Sequence, residues 1–259
     1  MRIGCLGWTK EIDLLISNRI YRQNTVDAVL QDNAVVVTEE QLEQLVAPPE
    51  LQLYQFDEVR RHRILLSMLA DHFGSATNPL EKLYQFAQFT YNLENLFPSP
   101  EHSAARGYYT SPSDFWWGGT EEMVIAKGSD WCLEVARVHC ALAQVSGIAS
   151  RLVHIFSEDS GHAITESFIG DKWVLVDPLA PKVYTKNDGS PLSVVDMAVA
   201  DSVQRAEYTA GREGNWVHEK FFQFMAVAEY RLIDSEKYDY GISYCNEFYR
   251  KLLEPVWNQ

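Results

Sequence analysis

One helix and three strands are predicted within residues 128–178, which read GSDWCLEVARVHCALAQVSGIASRLVHIFSEDSGHAITESFIGDKWVLVDP. Apolar residues recur at helical spacing over 131–145, and Gly147 follows as a stop signal. The segments 149–156, 163–169 and 173–177 are rich in β-branched and aromatic residues, which is typical of strands. Gly170-Asp171-Lys172 separates the last two strands and predicts a hairpin turn. A helix followed by hairpin-connected strands predicts an α+β fold with an antiparallel sheet.

The segments on either side are predicted to be mainly helical. Asn78 before Pro79 is typical of a helix start, because asparagine caps the first turn and proline is tolerated there. Thr120 is predicted to cap a short helix in the same way. The other predicted helices cover 38–46, 56–73, 192–200 and 218–232. Residues 97–119 are irregular and rich in aromatic side chains, a composition found both in core lids and at the rims of binding sites.

We expect these parts to form one domain over residues 1–259, because no Gly/Ser-rich linker divides the chain. Residues 78–185 are expected to be its core. Residues 1–77 then form a helical N-terminal layer, and 186–259 form a C-terminal cap, also with predicted helices. A core covered in this way favours a small molecule or a peptide end as the substrate.

The composition is that of a globular protein with an acidic surface. Hydrophobic residues make up 46% and charged residues 22%, which excludes a disordered, collagen-like or coiled-coil chain. The chain has 22 Lys and Arg against 36 Asp and Glu, giving a formal net charge of −14. A field of that sign repels phosphate backbones and anionic bilayers. We therefore expect neither nucleic acid nor membrane as a partner.

No segment has the features of a membrane span or a secretion signal. The longest stretch without Asp, Glu, Lys or Arg runs from Val138 to Ser150, shorter than the roughly 20 residues of a transmembrane helix. The N-terminus lacks the apolar run and cleavage site of a signal peptide. We therefore expect a cytoplasmic protein with reduced cysteines. The chain has no C-x-x-C, H-E-x-x-H or EF-hand pattern, so neither a metal nor a cofactor is expected.

Cys132 is the candidate nucleophile. It lies in the first turn of the predicted helix, just after two possible capping residues, Ser129 and Asp130. The helix dipole favours an anion there, so we expect the pKa of this thiol to be depressed. A lone cysteine is more often a small buried hydrophobic residue, and Cys140, in the middle of the same helix, fits that interpretation.

His162 and Asp177 are the candidate base and orienting group. If Gly170-Asp171 is a two-residue loop, Ile169 pairs with Lys172, and His162 becomes a diagonal neighbour of Asp177 on one face of the hairpin. A hydrogen bond between the imidazole and the carboxylate is then possible. Taken singly, a strand histidine is often structural and an Asp before proline is often a turn former. His154, on the preceding strand, competes weakly for the role of base.

Residues 120–178 resemble the core of the transglutaminase-like superfamily, whose members have a papain-like Cys-His-Asp arrangement. The resemblance is carried by Gly128-Ser-Asp-Trp-Cys132-Leu-Glu-Val-Ala136, Gly147-Ile148-Ala-Ser-Arg151, Gly161-His162-Ala-Ile-Thr-Glu166 and Trp173-Val-Leu-Val-Asp177-Pro178. It implies Cys132 as nucleophile, His162 as general base and acid, and Asp177 as orienter. The compact spacing looks more like the microbial branches than the animal enzymes. Where Ile164 stands, the family commonly has a tryptophan.

The resemblance implies cysteine-dependent hydrolysis or acyl transfer at an amide or thioester carbonyl, through a thioester intermediate. A protease or amidase acting on a peptide or small molecule is the first expectation. A biosynthetic acyltransferase that uses an amine acceptor needs the same three residues, and a non-catalytic binding module on the same fold is a further alternative. Trp131, Trp116 and Trp117 are candidates for a second oxyanion donor. The oligomeric state is not predicted.

Overall fold

The structure is a computed structural model that describes residues 46–93, 120–129, 131–156, 161–200, 202–209 and 224–237. Its helices are α1 (Phe56–His62), α2 (Ile64–Phe73), α3 (Pro79–Tyr91), α4 (Glu121–Lys127), α5 (Cys132–Val145), α6 (Val194–Val199) and α7 (Ser202–Thr209). Its strands are β1 (Ser150–Phe156), β2 (Gly161–Ile169), β3 (Lys172–Asp177), β4 (Lys182–Val183) and β5 (Phe224–Ala228). Short 3₁₀ helices cover Leu51–Tyr54 and Leu232–Lys237. This is the α+β fold with an antiparallel sheet that the sequence predicts.

The β2–β3 hairpin has the register expected from a two-residue loop. Ile169 pairs with Lys172, and the pairing continues in step to Thr165 and Val176. Gly170, the first loop residue, has φ 69°, a left-handed conformation that glycine adopts without steric cost. The sequence therefore sets which residues of β2 and β3 lie beside each other, and with them the neighbours of the candidate site.

The five strands are hydrogen-bonded in the order β4-β3-β2-β1-β5, so the C-terminal segment completes the sheet. The predicted helix over 218–232 is wrong in the described part, because Phe224–Ala228 forms β5 and pairs antiparallel with β1. A short apolar run such as FMAVA is compatible with a buried strand or a helix. Residues 224–228 form a strand because their backbone can pair with the edge of β1. The division of the chain into core, layer and cap stays a prediction.

Helix α5 is the centre of the molecule, and every one of its residues is buried. Its apolar side chains form one core with Leu152 and Ala163 of the sheet and with residues of α1–α4. The opposite face of the sheet packs Val153 and Ile155 against Val194 and Met197 of the α6 segment. Because both faces of the sheet are covered, the strands lack the alternating pattern of a sheet with one wet face.

The N-terminal helices agree with the predicted start signals, with one correction. Asn78 caps α3 by accepting a hydrogen bond from Leu80 N–H, and Thr120 caps α4 through Met123 N–H. The single helix predicted over 56–73 is instead two helices that meet at Arg63, where φ is −101° and ψ is 62°. The guanidinium group of Arg63 forms ion pairs with Glu121 and Glu122 of α4. Because Glu121 and Glu122 lie far away in the chain, the apolar periodicity of residues 56–73 does not indicate the break at Arg63.

Two predicted segments lie outside the described residues, namely the helix at 38–46 apart from Val46 and the aromatic segment 97–119. Among the helices that the structure describes, none has the length and apolar character needed to cross a bilayer.

Candidate active site

Cys132 is the first residue of α5, as the position of the predicted nucleophile requires. Its side chain is buried and forms no disulfide. The chain reaches it from α4 through Gly128, whose φ of 69° and ψ of 155° suit glycine and would strain other residues. The thiol therefore stands at the positive end of a buried helix dipole, a place that favours a negative charge.

The expected caps of this helix need a correction. The N-cap residue is Trp131, and its side chain makes no capping hydrogen bond. Ser129 Oγ instead accepts a hydrogen bond from Trp131 N–H at 3.1 Å and donates one to Glu134 Oε2 at 2.6 Å. Asp130 lies outside the described residues. The sequence indicates two possible capping side chains, but it does not show that the Ser129 hydroxyl would bond to the carboxylate of Glu134 in the first turn of the helix.

His162 and Asp177 meet across the hairpin. His162 Nε2 lies 3.0 Å from Asp177 Oδ2, and both side chains are fully buried. The other carboxylate oxygen, Oδ1, accepts hydrogen bonds from Leu179 N–H at 3.0 Å and Ala180 N–H at 3.3 Å. The turn that follows β3 thus orients the carboxylate, and the carboxylate orients the imidazole. The hydrogen bond that the hairpin register allows is present.

The imidazole of His162 also interacts with the thiol of Cys132. Burial by itself lowers the pKa of His162, but the charge and hydrogen bond of Asp177, together with the hydrogen bond and charge of Cys132, raise it to about 9. Since Nε2 is bonded to Asp177, Nδ1 is the ring nitrogen left for the thiol. His162 thus links the other two residues, since its imidazole is hydrogen-bonded to Asp177 and its pKa is raised by both Asp177 and Cys132.

His154 and Cys140 lack this environment. Burial and the neighbouring charge of His162 lower the pKa of His154 to about 3, so its neutral imidazole is a poor proton acceptor. Burial raises the pKa of Cys140 to about 12, and its sulfur accepts a hydrogen bond from Ser150 Oγ at 3.3 Å. Cys140 is therefore the structural cysteine that its mid-helix position indicates.

Two buried groups near the site were not found by sequence reasoning. His139, on α5, contacts Leu83 O through Nε2 and Thr165 Oγ1 through Nδ1. Tyr184 is fully buried, and burial together with the charge of Asp177 raises its pKa well above the ordinary value. Neither His139 nor Tyr184 belongs to a recognisable sequence motif. Their surroundings are formed by elements that lie far apart in the chain. Of the candidate oxyanion donors, Trp131 is buried beside Cys132, and Trp116 and Trp117 lie outside the described residues.

One comparison with known proteins covers the region that contains these residues. Residues 67–178, which include Cys132, His162 and Asp177, match the model of the transglutaminase-like superfamily. This part of the chain is therefore similar to the transglutaminase-like core. This match supports cysteine-dependent catalysis in general, whereas the resemblance to the microbial branch stays a prediction.

Two further comparisons add little to that assignment. A crystal structure described as a "Putative Cysteine Protease from Cytophaga hutchinsonii" is 16% identical, with a TM-score of 0.35 over 77% of this chain and 68% of that chain. A similarity at that level carries no functional argument. No curated protein shows significant sequence similarity to this chain.

Proposed function

We propose that the protein cleaves an amide bond in a peptide or small molecule by cysteine-dependent acyl transfer, with Cys132 as nucleophile, His162 as acid and base, and Asp177 as orienter. The observation that carries the proposal is the buried His162 imidazole, which is bonded to Asp177 at 3.0 Å and interacts with Cys132. The transglutaminase-like core over residues 67–178 supports it, because this superfamily is typically enzymatic. A thiol, a base and an orienting carboxylate in hydrogen-bonded order are the requirements of nucleophilic catalysis.

In the first half-reaction the thiolate of Cys132 attacks the carbonyl carbon and forms the C–S bond. The backbone N–H of Cys132, at the start of α5, stabilises the oxyanion together with the helix dipole. The protonated His162 then gives its proton to the leaving nitrogen as the C–N bond breaks. The products of this step are a neutral amine, a thioester on Cys132 and a neutral imidazole.

In the second half-reaction His162 takes a proton from water, and the resulting hydroxide equivalent attacks the thioester carbonyl. The C–S bond breaks, and the acid product leaves the thiolate–imidazolium pair restored. An amine in place of water would give a new amide with the same proton transfers. Product analysis by mass spectrometry, with and without added amines, distinguishes hydrolysis from transfer.

The first experiment is alkylation of the native protein by iodoacetamide across pH 5–10, read at each cysteine by peptide mass spectrometry. We expect Cys132 to react below pH 7 because its thiolate is paired with His162. In His162→Ala the rate at pH 6.5 should fall roughly 10- to 100-fold, because a thiol with an ordinary pKa of about 8.5 is about 1% ionised there. Cys140 is the internal control, since burial raises its pKa to about 12.

The two pH profiles separate the roles of His162. Alkylation needs only the thiolate, so its rate should not decline at high pH. Amide hydrolysis also needs the imidazolium as acid and should decline above about pH 9, where His162 loses its proton. If Cys132 titrates as an ordinary thiol, or stays unreactive while the protein is folded, the proposed function is wrong.

The orienting role of Asp177 is tested by Asp177→Asn. Without the carboxylate charge the pKa of His162 should fall, and alkylation of Cys132 at pH 6.5 should slow by roughly tenfold per pKa unit. Asp188→Asn is the matched control, because Asp188 Oδ1 also accepts the backbone N–H two residues ahead, at 2.9 Å, but lies in an exposed turn. Equal alkylation rates in the two variants would contradict the proposed role.

A further inference from the structure

The turn before Cys132 is held by a hydrogen-bonded connection that the proposed chemistry does not use. Ser129 Oγ accepts from Trp131 N–H and donates to Glu134 Oε2, so one hydroxyl joins the N-cap backbone to the first turn of α5. Ser129 and Glu134 are 3% and 4% exposed, and the hydroxyl uses both its donor and an acceptor position in these bonds. Cys132 lies between the two ends of this connection.

The arrangement is an extended form of the capping box. In the ordinary capping box the glutamate at the third helical position accepts directly from the N-cap backbone N–H. Here Trp131 is the N-cap, Glu134 is the third helical residue, and the Ser129 hydroxyl is inserted between them. Three residues therefore determine the direction in which the backbone enters the helix, and with it the direction of the Cys132 side chain.

A buried carboxylate needs compensating charge, and Glu134 has it one turn further along the helix. The charge of Glu134 is one of the effects that raise the pKa of Arg137, although burial opposes them. Arg137 Nη2 also donates to Glu121 Oε1 at 2.6 Å, and Glu121 Oε2 accepts from Arg63 Nη2 at 2.6 Å. The first turn of α5 is thus electrostatically connected to α4 and to the junction between α1 and α2.

We propose that Ser129 and Glu134 are positioning residues that fix the Cys132 side chain in reach of His162. The proposal rests on the proposed function, because it assigns a role in activating the same thiol. The physical reason is that activation requires a short contact between sulfur and imidazole, and an error of about 1 Å in such a contact can cost roughly 10²-fold in rate. Loss of the connection lets the Trp131–Cys132 backbone turn without unfolding the buried helix.

The test is alkylation of Cys132 in Ser129→Ala, with Ser67→Ala as matched control. Ser67 is also a buried serine with two hydrogen bonds, to Arg60 O at 2.9 Å and Arg63 O at 3.0 Å, but it lies on α2. We expect Ser129→Ala to slow alkylation at pH 6.5 roughly tenfold and to shift the pH profile upward. Ser67→Ala should keep the wild-type rate and profile. Ser129→Thr, which retains the hydroxyl, should restore reactivity.

The outcomes separate the two proposals. If wild-type Cys132 reacts below pH 7 in a His162-dependent way but Ser129→Ala has the same pH profile as wild type, only the positioning role is wrong. If wild-type Cys132 shows no such reactivity, the proposed function itself fails. If Ser129→Ala does not fold, Glu134→Gln is the second test. Its neutral amide is the weaker acceptor and should slow alkylation of Cys132 a few-fold in protein that circular dichroism shows to be folded. An unchanged rate in that variant overturns the positioning role.

Discussion

Three of the described histidines are fully buried, and they differ strongly in proton affinity. Burial alone lowers the pKa of each, and it prevails at His139 and His154, whose pKa values are about 4 and about 3. His162 has a pKa of about 9 because Asp177 and Cys132 together outweigh burial. The protonated imidazole that the proposed chemistry needs is therefore produced by a specific carboxylate and thiol, and not by its depth in the protein.

The low pKa of His139 predicts a loss of stability in acid. His139 stays neutral in the folded protein, whereas the unfolded chain binds a proton near pH 6.5. Its contribution is complete above pH 6.5 and is lost as the pH falls toward 4, at about 1.4 kcal/mol per unit of pKa difference. Urea unfolding at pH 7 and pH 4.5 should show a smaller loss in His139→Gln than in wild type.

The pKa of His154 is also lowered, to about 3, so His154 too makes the folded protein less stable in acid. Part of the stability loss between pH 7 and pH 4.5 should therefore remain in His139→Gln. His72→Gln is the control for the substitution itself, since His72 is exposed on α2. An identical slope in His139→Gln and wild type would show that His139 is already protonated in the folded state at pH 4.5.

At the scale of elements, α4 and the α1–α2 junction are joined by partly buried ion pairs. Arg63 donates to Glu122 through Nε and Nη2, to Glu121 through Nη2 and to Ser235 through Nη1. Glu121 is also paired with Arg137 of α5, and these two arginines hold its pKa below the ordinary value in spite of burial. The break between α1 and α2 thus places a cation where it can compensate two carboxylates.

Arg63→Met is expected to lower the free energy of unfolding by about 2–4 kcal/mol, because it leaves buried Glu121 with one cation instead of two. Chemical denaturation at pH 7 measures the change. Asp71→Asn is the control, because the Arg60–Asp71 pair is exposed and such pairs contribute about 0–1 kcal/mol. Equal effects of the two substitutions would mean that the network adds no more than a surface pair.

At the scale of the whole molecule, Gln144 joins the end of α5 to the start of β1 and to the distant segment that contains Tyr230 and Leu232. Its Nε2 donates to Ser150 O at 2.9 Å and to Tyr230 O at 2.7 Å, and its Oε1 accepts from Leu232 N–H at 2.8 Å. One side chain at the end of α5 therefore satisfies the start of β1 and the segment that follows β5. Because that segment directly follows β5, the edge strand of the sheet, these contacts stabilise the C-terminal chain and the central helix together.

Gln144→Met keeps the size of the side chain but leaves three backbone groups without this partner. A buried polar group that loses its hydrogen bond costs about 1–3 kcal/mol, so we expect a loss of several kcal/mol and a lower melting temperature by calorimetry. Gln85→Met is the control, since Gln85 makes one hydrogen bond, from Ala76 N–H at 3.1 Å, in a partly buried place. Similar losses in both variants would contradict the bridging role.

The sequence by itself determined that Cys132 lies in the first turn of α5, the caps at Asn78 and Thr120, and the register of the β2–β3 hairpin. Each depends on residues within one turn or one loop of each other, so local chemistry decides them. Because side chains alternate along a strand, that register also makes His162 and Asp177 neighbours on one face of the hairpin.

Only the tertiary structure decided the features whose partners lie far away in the chain. The break at Arg63 depends on α4, β5 depends on the edge of β1, and the buried partners of His139 come from α3 and β2. The approach of Cys132 to His162 belongs here too, because it requires α5 to pack on the sheet with its first turn near the start of β2. Local patterns contain no information on such contacts, since a residue's neighbours in sequence are the same whether or not the distant partner arrives.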